Sequence, residues 1–328
     1  MPSKSEKQRT IRQLIKQKPG NAICYSGYRK GQDPRKGIFP SYQEIREDLL
    51  ILDANWSYLR LYDPSPHAET TLEVIRDEKL DLKVLLGADL AAEVSNPECP
   101  WGANFDDETL AANRQANSEN IDRLIALANR YPEIVFAVSA GNEASVSWTD
   151  HLVPVARIIA YARRLKKAVA QPVTFCENYV PWTSKLARLA AELDFISVHT
   201  YPVWEYRTID DALEYTKQNY YSVADHYPKK PVVITEAGWT TVSNGRGIEP
   251  SNASEALQAR YCRELMAWTQ SEGILAFIFE AFDEPWKGSP DPMEPEKHWG
   301  LFDVDRKPKQ FMQQLLKSKG GKRSNGRA

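Results

Sequence analysis

The chain has 328 residues, of which 42% are hydrophobic and 26% are charged. This composition is typical of a folded globular protein and excludes disordered, collagenous and coiled-coil sequences. The formal net charge is −2, but residues 1–20 carry six bases against one acid and residues 306–328 carry eight bases and no acid, so the body between them is strongly acidic. Such a surface repels phosphate backbones, which argues against nucleic acid as a partner.

The apolar stretches of the chain are short. The longest, near Ile274–Phe279, falls far below the roughly 20 residues of a membrane-spanning helix, so we expect no membrane partner. Residues 1–20 have no apolar core of a secretory signal, so we expect a cytoplasmic protein for the sequence as written, and a periplasmic or secreted one if the N-terminus was trimmed. Four cysteines without paired or metal-type spacing predict reduced thiols.

Eight short apolar runs, rich in β-branched and aromatic residues, predict strands. They are Asn21–Tyr25, Trp56–Tyr62, Leu82–Gly87, Ile134–Ser139, Pro172–Cys176, Phe195–His199, Val232–Thr235 and Ile274–Phe279. Helical periodicity marks the segments between them, for example Glu119–Arg130, Pro154–Val169 and Ser254–Glu272, the last begun by an N-cap at Ser254. Strict alternation of strands and helices over about 300 residues favours a closed (β/α)8 TIM barrel, with an open doubly wound sheet as the alternative.

The chain shows no internal linker or composition break, so we expect one domain, a barrel over residues 21–318. Residues 1–20 form a basic N-terminal segment, in which residues 6–17 have the amphipathic pattern of a short helix that would cap the bottom of the barrel. Residues 319–328 form a basic segment that we expect to be a flexible tail.

Two glutamates stand at strand ends, where a (β/α)8 barrel carries its active site. Glu143 follows the fourth run and Glu236 follows the seventh. A carboxylate after an almost purely apolar run is unfavourable unless it is paired or used, and strands four and seven face each other across the barrel mouth. Carboxyl groups about 5 Å apart suit retaining glycoside hydrolysis, and groups about 6.5–9.5 Å apart suit inverting hydrolysis. Two structural salt bridges are the alternative interpretation.

Tryptophan placement points to the same end of the barrel. Seven of the nine tryptophans fall in segments after strand ends: Trp101, Trp148, Trp182, Trp204, Trp239, Trp286 and Trp299. Flat rings around an acidic cleft suit stacking on the faces of sugar rings, although for each ring packing against the barrel rim is the alternative. The long segment Ala88–Asn120 between the third strand and its helix is expected to be a loop that modulates the length of the cleft.

Motifs for other chemistries are absent from the sequence. It has no phosphate-binding loop, dinucleotide fingerprint, zinc-protease motif or serine-hydrolase elbow, and its five histidines are scattered, so we expect no cofactor and no metal. Acids near the mouth, such as Asp63 and Glu280, offer ligands for a hard cation, but recognition of sugar hydroxyls explains them equally well.

Four motifs fall at strand ends in a specific order. They are Arg60-Leu61-Tyr62-Asp63 on the second strand, Asn142-Glu143 on the fourth, Ile234-Thr235-Glu236-Ala237-Gly238-Trp239 on the seventh, and Glu280-Ala281-Phe282-Asp283-Glu284-Pro285-Trp286-Lys287 on the eighth. Together they resemble glycoside hydrolase family 17, the β-1,3-glucanase family, within a clan of retaining barrels. The resemblance runs from about Ala22 to Lys309, and the form of the eighth strand resembles the microbial branch.

The resemblance implies roles for individual residues. Glu143 would be the general acid/base and Glu236 the nucleophile, while Asn142 would hold the sugar 2-hydroxyl. Arg60 and Tyr201 would hydrogen-bond to Glu236 and orient it. The other predicted substrate-binding residues are Tyr62, Asp63, Trp239, Glu280, Asp283, Glu284, Trp286 and Lys287. For His199 on the sixth strand, lining the site and satisfying a core hydrogen bond are equally favoured.

The expected activity is retaining cleavage of β-1,3-glucosidic linkages in a β-glucan or its oligosaccharides, without cofactor, through a covalent ester on Glu236. A β-1,3-glucan transglycosylase, which elongates or branches chains with the same catalytic pair, is the alternative. A third interpretation is an inactive barrel that only binds glucan through its tryptophans.

Overall fold

Eight parallel strands close into a barrel in the order of the sequence. The structure, a computed structural model, describes residues 11–16 and 20–324. The strands are β1 (Ala22–Cys24), β2 (Tyr58–Leu61), β3 (Lys83–Gly87), β4 (Val135–Asn142), β5 (Val173–Asn178), β6 (Ile196–Thr200), β7 (Val232–Gly238) and β8 (Ala276–Phe279). All eight predicted strands are confirmed, and the fold is the closed barrel rather than the open sheet.

Helices alternate with the strands and pack against the outside of the barrel. They are α1 (residues 11–16), α2 (Tyr42–Asp53), α3 (Pro66–Asp77), α4 (Asp107–Arg130), α5 (Val155–Ala168), α6 (Ala187–Glu192), α7 (Ile209–Ala224), α8 (Glu255–Glu272) and α9 (Gln310–Ser324). The predicted N-cap of α8 is confirmed, because the hydroxyl of Ser254 accepts a hydrogen bond from the backbone N–H of Leu257.

Helix α4 begins earlier than its hydrophobic pattern predicts. It starts at Asp107, so the expectation of a continuous loop over Ala88–Asn120 is wrong. The carboxylate of Asp106 accepts a hydrogen bond from the backbone N–H of Thr109 at 2.7 Å, and two acids in the first turn complement the positive end of the helix dipole. The first turns are mostly exposed, so the periodic burial that marks a helix in a sequence is missing there.

The strands are buried on both faces, because one face fills the barrel interior and the other meets the helices. Every residue of β2, β6 and β7 is buried, which explains why these segments appear in the sequence as continuous apolar runs. The four cysteines are free thiols in buried positions. Among the described helices, none has both the length and the apolar character needed to cross a membrane.

The described residues nearest the two ends of the chain are helical. Within the helix predicted at residues 6–17, residues 11–16 are helical, Ile11 is buried, and Arg12 donates a hydrogen bond to the carbonyl of Lys229 just before β7. The rest of that predicted helix lies outside the described residues. Helix α9 continues to Ser324, so the segment predicted as a flexible tail is helical up to that residue.

Candidate active site

An irregular strand end turns the first glutamate into the barrel mouth. The pairing of β4 with β5 shifts register between Ser139 and Asn142, and a bulge of this kind re-aims the side chains that follow it. Glu143 has a φ of +43°, in the left-handed region that side-chain-bearing residues rarely adopt. Its backbone N–H donates to the carbonyl of Cys176 on β5 at 2.9 Å, so the neighbouring strand holds this turn in place.

Glu143 lies beside a buried histidine. Its side chain is 31% exposed, and its Oε1 lies 2.7 Å from Nδ1 of His199 on β6, which is fully buried. Burial opposes a charge on this imidazole, but the carboxylates of Glu236 and Glu143 raise the pKa of His199 to about 10. The imidazole is therefore a cation at neutral pH. The structure places His199 in the candidate site rather than in an uninvolved core position.

The second glutamate, on β7, is surrounded by basic and phenolic groups. Glu236 is 6% exposed; Arg60 donates a hydrogen bond to its Oε1, and the phenol of Tyr62 donates to the same oxygen at 3.1 Å. The phenol of Tyr201 donates to Oε2, and Nδ1 of His199 lies 3.4 Å from that oxygen. Burial alone would raise the pKa of Glu236, but the two cations and the hydrogen bond from Tyr201 lower it from 4.5 to about 2. Glu236 is therefore ionised at neutral pH.

The two glutamates are close enough to act on one bond. One carboxylate oxygen of Glu143, one carboxylate oxygen of Glu236 and a ring nitrogen of His199 all lie within 4.8 Å of one another. Carboxyl groups of retaining glycosidases are about 5 Å apart, whereas inverting ones are about 6.5–9.5 Å apart to admit a water molecule. The separation of Glu143 and Glu236 therefore falls on the retaining side, a distance that the sequence left open.

The same three residues are the one cluster in the described part of the chain with the spacing of a metal site. The Nδ1 atom of His199 already lies 2.7 Å from the carboxylate of Glu143, at hydrogen-bond distance. Both oxygens of Glu236 already accept hydrogen bonds. The donor set therefore suits a hydrogen-bonded ion cluster better than metal coordination.

Arg60 connects three strands below the mouth. Besides Glu236, its guanidinium donates hydrogen bonds to Oδ1 of Asn142 at the end of β4 and to the carbonyl of Thr235 on β7. The guanidinium carbon lies 4.4 Å from the ring centre of Tyr62. Because the amide oxygen of Asn142 is engaged by Arg60, the NH2 group of Asn142 is the part that can meet a sugar hydroxyl, as its predicted role requires.

Lys287 and two acids form a second polar group after β8. The Nζ atom of Lys287 lies 2.7 and 2.9 Å from the carboxylate oxygens of Glu280 and 2.6 Å from Glu284. Burial raises the pKa of Glu280 well above its ordinary value, whereas the charge of Lys287 outweighs burial at Glu284 and lowers its pKa. The indole N–H of Trp286 donates to Glu284 at 3.1 Å, and its half-buried ring lies 5.9 Å from that of Tyr28. These four predicted residues therefore form one connected group.

Trp239 does not reach the mouth. Its side chain is fully buried, its indole N–H donates to the carbonyl of Asn252 at 2.8 Å, and its ring centre lies 5.5 Å from that of Tyr261 on α8. The side chain thus points from the end of β7 into the helix layer. The prediction that Trp239 contacts substrate is therefore wrong.

Asp283 is also engaged away from the mouth. Its Oδ1 accepts hydrogen bonds from Nζ of Lys309 at 2.7 Å and from the backbone N–H of Gly300 at 2.9 Å, so it joins the segment after β8 to the residue before α9. The structure gives Asp283 this anchoring position instead of the predicted substrate contact. Asp63 lies half-buried after β2 and accepts a hydrogen bond from Ser65 at 2.7 Å, at the rim of the mouth.

The tryptophans of the strand-end segments divide into three groups by exposure. Trp182, Trp239 and Trp299 are fully buried, so for these three rings the alternative, packing against the barrel, applies. Trp204 and Trp286 are half-buried, and Trp101 and Trp148 are exposed. A position after a strand end therefore predicts the end of the barrel but not whether the ring faces solvent or the helix layer.

Sequence reasoning missed two acids close to the pair. Glu177, the last but one residue of β5, is fully buried and accepts hydrogen bonds from the backbone N–H and the hydroxyl of Ser145 at 2.9 and 2.7 Å. Burial and the charge of Glu143 raise its pKa to about 7. Glu296, half-buried after β8, also has its pKa raised to about 7, chiefly by burial. Glu177 directly follows a predicted strand, so the rule that singled out Glu143 and Glu236 applied to it as well.

A closed barrel with paired glutamates on its fourth and seventh strands has the architecture of the clan of glycoside hydrolase barrels. The chain belongs to the family of the BtgE/BtgC glycoside hydrolase domain, whose sequence profile matches residues 22–300. The predicted resemblance to glycoside hydrolase family 17 is confirmed by this match, and a solved structure of that family, a β-1,3-glucanosyltransferase from Rhizomucor miehei, has the same fold.

Solved structures share the fold over most of the chain. An endo-laminarinase from Formosa Hel1_33_131 is 28% identical, with a TM-score of 0.78 over 91% of this chain and 87% of that one. A β-1,3-glucanosyltransferase from Rhizomucor miehei, crystallised as an active-site mutant with laminaritriose, is 22% identical, with a TM-score of 0.70 over 89% of this chain and 96% of that one, which shows the common fold.

The curated relatives match this chain over part of their own length. A putative glucan endo-1,3-beta-glucosidase, btgC, from Aspergillus niger is 26% identical over 290 residues, which cover 81% of this chain and 39% of the relative. A glucan 1,3-beta-glucosidase from Arthroderma benhamiae is 30% identical over 142 residues, which cover 38% of this chain and 43% of the relative. The matches thus span about two fifths of these relatives' length.

Proposed function

We propose that this protein hydrolyses β-1,3-glucosidic linkages of a β-glucan with retention of anomeric configuration. The observation that carries the proposal is the pair of opposed glutamates, Glu143 and Glu236, whose nearest carboxylate oxygens lie within 4.8 Å. The endo-laminarinase from Formosa, at 28% identity, and the curated relatives named for glucan 1,3-β-glucosidase activity support this choice of linkage.

Glu236 is the nucleophile of the proposed reaction. Its low pKa keeps the carboxylate ionised, and attack on the anomeric carbon breaks the glycosidic bond and forms a glycosyl ester. Arg60 and Tyr62 hold Oε1 while Tyr201 holds Oε2, so the carboxylate has a fixed direction before substrate arrives. The buried, hydrogen-bonded position supports this role for Glu236 rather than for Glu143.

Glu143 is the general acid and base. In its protonated form it gives its proton to the departing glycosidic oxygen, and as a carboxylate it then takes a proton from the water that hydrolyses the ester. The partial exposure of its side chain suits contact with leaving group and water. The Nδ1–H of His199 lies 2.7 Å from Glu143, so the imidazolium stabilises the carboxylate that forms when Glu143 has given up its proton.

Glycosyl transfer to a second sugar is the alternative outcome of the same first step. The ester on Glu236 can be released by water or by a sugar hydroxyl, and Glu143 serves as base in either case. The solved β-1,3-glucanosyltransferases from Rhizomucor miehei share this fold. The nature of the products, rather than the catalytic pair, separates the two reactions.

The test is a time course with a defined β-1,3-gluco-oligosaccharide, with products resolved by length and the new anomeric centre followed by NMR. We expect shorter products that appear first as the β-anomer. Glu143→Gln and Glu236→Gln should each lose at least about 10²-fold in turnover. The control Glu78→Gln, at a half-buried ion-pair partner of Arg46 in the outer helix layer, should keep it.

Other results would overturn the proposal. Initial α-anomers would indicate inversion, and longer products would indicate glycosyl transfer. Wild-type turnover in both glutamine variants would remove the pair from the mechanism. Calorimetric binding of the oligosaccharide without any turnover by the wild-type protein would favour a barrel that only binds glucan.

A further inference from the structure

Two neighbouring loops at the mouth hold large aromatic side chains out in solvent. The loop between β3 and α4 (residues 88–106) carries Trp101, 59% exposed, and Phe105, 37% exposed. The loop between β4 and α5 (residues 143–154) carries Trp148, 38% exposed. Because β3 and β4 pair directly, the two loops leave the barrel side by side. We call these three side chains the aromatic platform.

Hydrogen bonds tie the two loops together around Trp148. The amide of Asn96, which is 3% exposed, donates to the carbonyl of Ser147 at 2.8 Å and to the carbonyl of Thr149 at 2.7 Å. The backbone N–H of Glu93 donates to the carbonyl of Leu152 at 3.0 Å. The residues on both sides of Trp148 are thus bonded to the loop that carries Trp101.

The loop before α4 has a polar core of its own. The carboxylate of Glu93, 2% exposed, accepts hydrogen bonds from Arg157 at 2.7 Å, from Asn117 at 3.1 Å and from the phenol of Tyr161. A buried carboxylate is tolerated only when it is paired and hydrogen-bonded, and this one joins the loop to α4 and α5. The exposed rings of the aromatic platform therefore stand on an ordered support rather than on a frayed segment.

The loop that carries Trp148 contacts the strand end that carries Glu143. His151 follows Trp148 by three residues. Its Nε2 atom lies 3.1 Å from the backbone carbonyl oxygen of Asn142, the residue before Glu143. Its Nδ1 lies 2.7 Å from Asp150. The loop of Trp148 is therefore held next to the end of β4, at the same end of the barrel as the catalytic pair.

We propose that the aromatic platform binds a glucose unit of the β-glucan chain beyond the units held at the catalytic pair. Single exposed apolar side chains are ordinary, whereas three exposed aromatic rings on two loops that are hydrogen-bonded to each other offer a surface for a ligand. The apolar faces of a pyranose ring stack on such rings, and nearby carbonyl and carboxylate groups accept its hydroxyls. This inference rests on the proposed function, and it predicts a preference for long chains.

The experiment compares kcat/KM over a series of β-1,3-gluco-oligosaccharides of increasing length. For Trp101→Ala and Trp148→Ala we expect kcat/KM on the longest member to fall about tenfold, mainly through KM, the factor that corresponds to 1.4 kcal/mol. The shortest member should be cleaved at the wild-type rate. Trp148→Phe should keep most of the activity on long chains, and the control Tyr221→Ala, an exposed aromatic of α7, should change nothing.

Three results would overturn the inference. Unchanged length dependence in both alanine variants would mean that the rings only cover the rim. A loss of equal size at every length would mean that they position Glu143 instead of binding sugar. The affinity of a long oligosaccharide can also be measured by calorimetry in the inactive Glu236→Gln background. If Trp101→Ala and Trp148→Ala leave that affinity unchanged, contact between these rings and the sugar is excluded.

The calorimetric comparison also separates this inference from the proposed function. If the wild-type protein cleaves no β-1,3-gluco-oligosaccharide, the proposed function fails. Binding that depends on Trp101 and Trp148 would then still support the aromatic platform as a glucan site. If cleavage occurs but neither tryptophan affects binding or length dependence, the platform fails and the proposed function stands.

Discussion

The hydroxyl of Tyr201 keeps Glu236 ionised in acid, and its removal should shift the acid side of the activity profile. Tyr201→Phe deletes one hydrogen bond to Oε2 and leaves the ring in place. That ring packs 5.2 Å from Trp299 and 5.7 Å from Phe279, centre to centre. The substitution therefore perturbs the carboxylate with little change in packing.

The size of the shift follows from the hydrogen bond. The displacement of the pKa of Glu236 from 4.5 to about 2 corresponds to about 3 kcal/mol in favour of the ionised form. A hydrogen bond to a charged group contributes about 1.5–3 kcal/mol, so loss of the bond from Tyr201 should raise the pKa by about 1–2 units. Because the nucleophile must be ionised, the variant should lose kcat/KM between about pH 4 and pH 3, where the wild type is still active.

The assay is kcat/KM on one oligosaccharide from pH 3 to pH 7, with folding followed by tryptophan fluorescence at each pH. Tyr261→Phe is the matched control, because it removes a buried phenol hydroxyl bonded to Thr216 in the helix layer. The decisive comparison is the fall of kcat/KM at low pH in folded protein. If the Tyr201→Phe variant and the wild type lose kcat/KM over the same pH range, that would falsify the assignment of Glu236 as an ionised nucleophile stabilised by this phenol.

Three further substitutions test other parts of the structure. Arg306→Met removes the two-pronged partner of the buried Asp48 carboxylate, which keeps hydrogen bonds from Arg29 and Tyr25. The free energy of unfolding in urea should therefore fall by about 1–3 kcal/mol while the folded fraction keeps its kcat, and an unchanged free energy of unfolding would contradict this. Trp239→Phe removes the hydrogen bond to Asn252 and should lower the free energy of unfolding by about 1–3 kcal/mol with KM unchanged. A raised KM with an unchanged free energy of unfolding would indicate that Trp239 contacts the substrate. The pKa of Glu177 is raised from 4.5 to about 7, so between these pH values the folded state retains a proton that the unfolded state releases. The free energy of unfolding should therefore fall by up to roughly 3 kcal/mol as the pH rises from about 4.5 through 7. Glu177→Gln should remove that part of the pH dependence in urea titrations, and an unchanged slope would show that Glu177 is not its source.

The barrel and the catalytic pair were predictable because their signals are local. A parallel strand buried on both faces appears as a short apolar run, and eight such runs separated by helices leave few alternatives to a closed barrel. Glu143 and Glu236 stand out because a charged residue follows such a run. The start of α4 was missed because an exposed helix has no apolar stripe to detect.

The directions of side chains after the strand ends were not predictable, because they depend on backbone angles and register. The register shift after Ser139 and the positive φ of Glu143 have no signature in the sequence, yet they aim the acid into the mouth. Trp239 was misplaced for the same reason, since nothing in its motif shows that the ring turns outward to α8. His199 could be placed only when the carboxylates on both sides of it were known.

The groups that hold Glu236 come from distant parts of the chain. Arg60 precedes it by 176 residues, and the same guanidinium also holds Asn142, which is 82 residues after Arg60. Contacts of such long range form only once both edges of the growing sheet have met. A partly folded chain, in which β2 has not yet come near β7, would therefore carry Glu236 as an ordinary weak acid. The reactivity of this carboxylate is thus a property of the closed barrel, and cleavage of a glycosidic bond by a refolding sample would report that β2 and β7 have both taken their places in it.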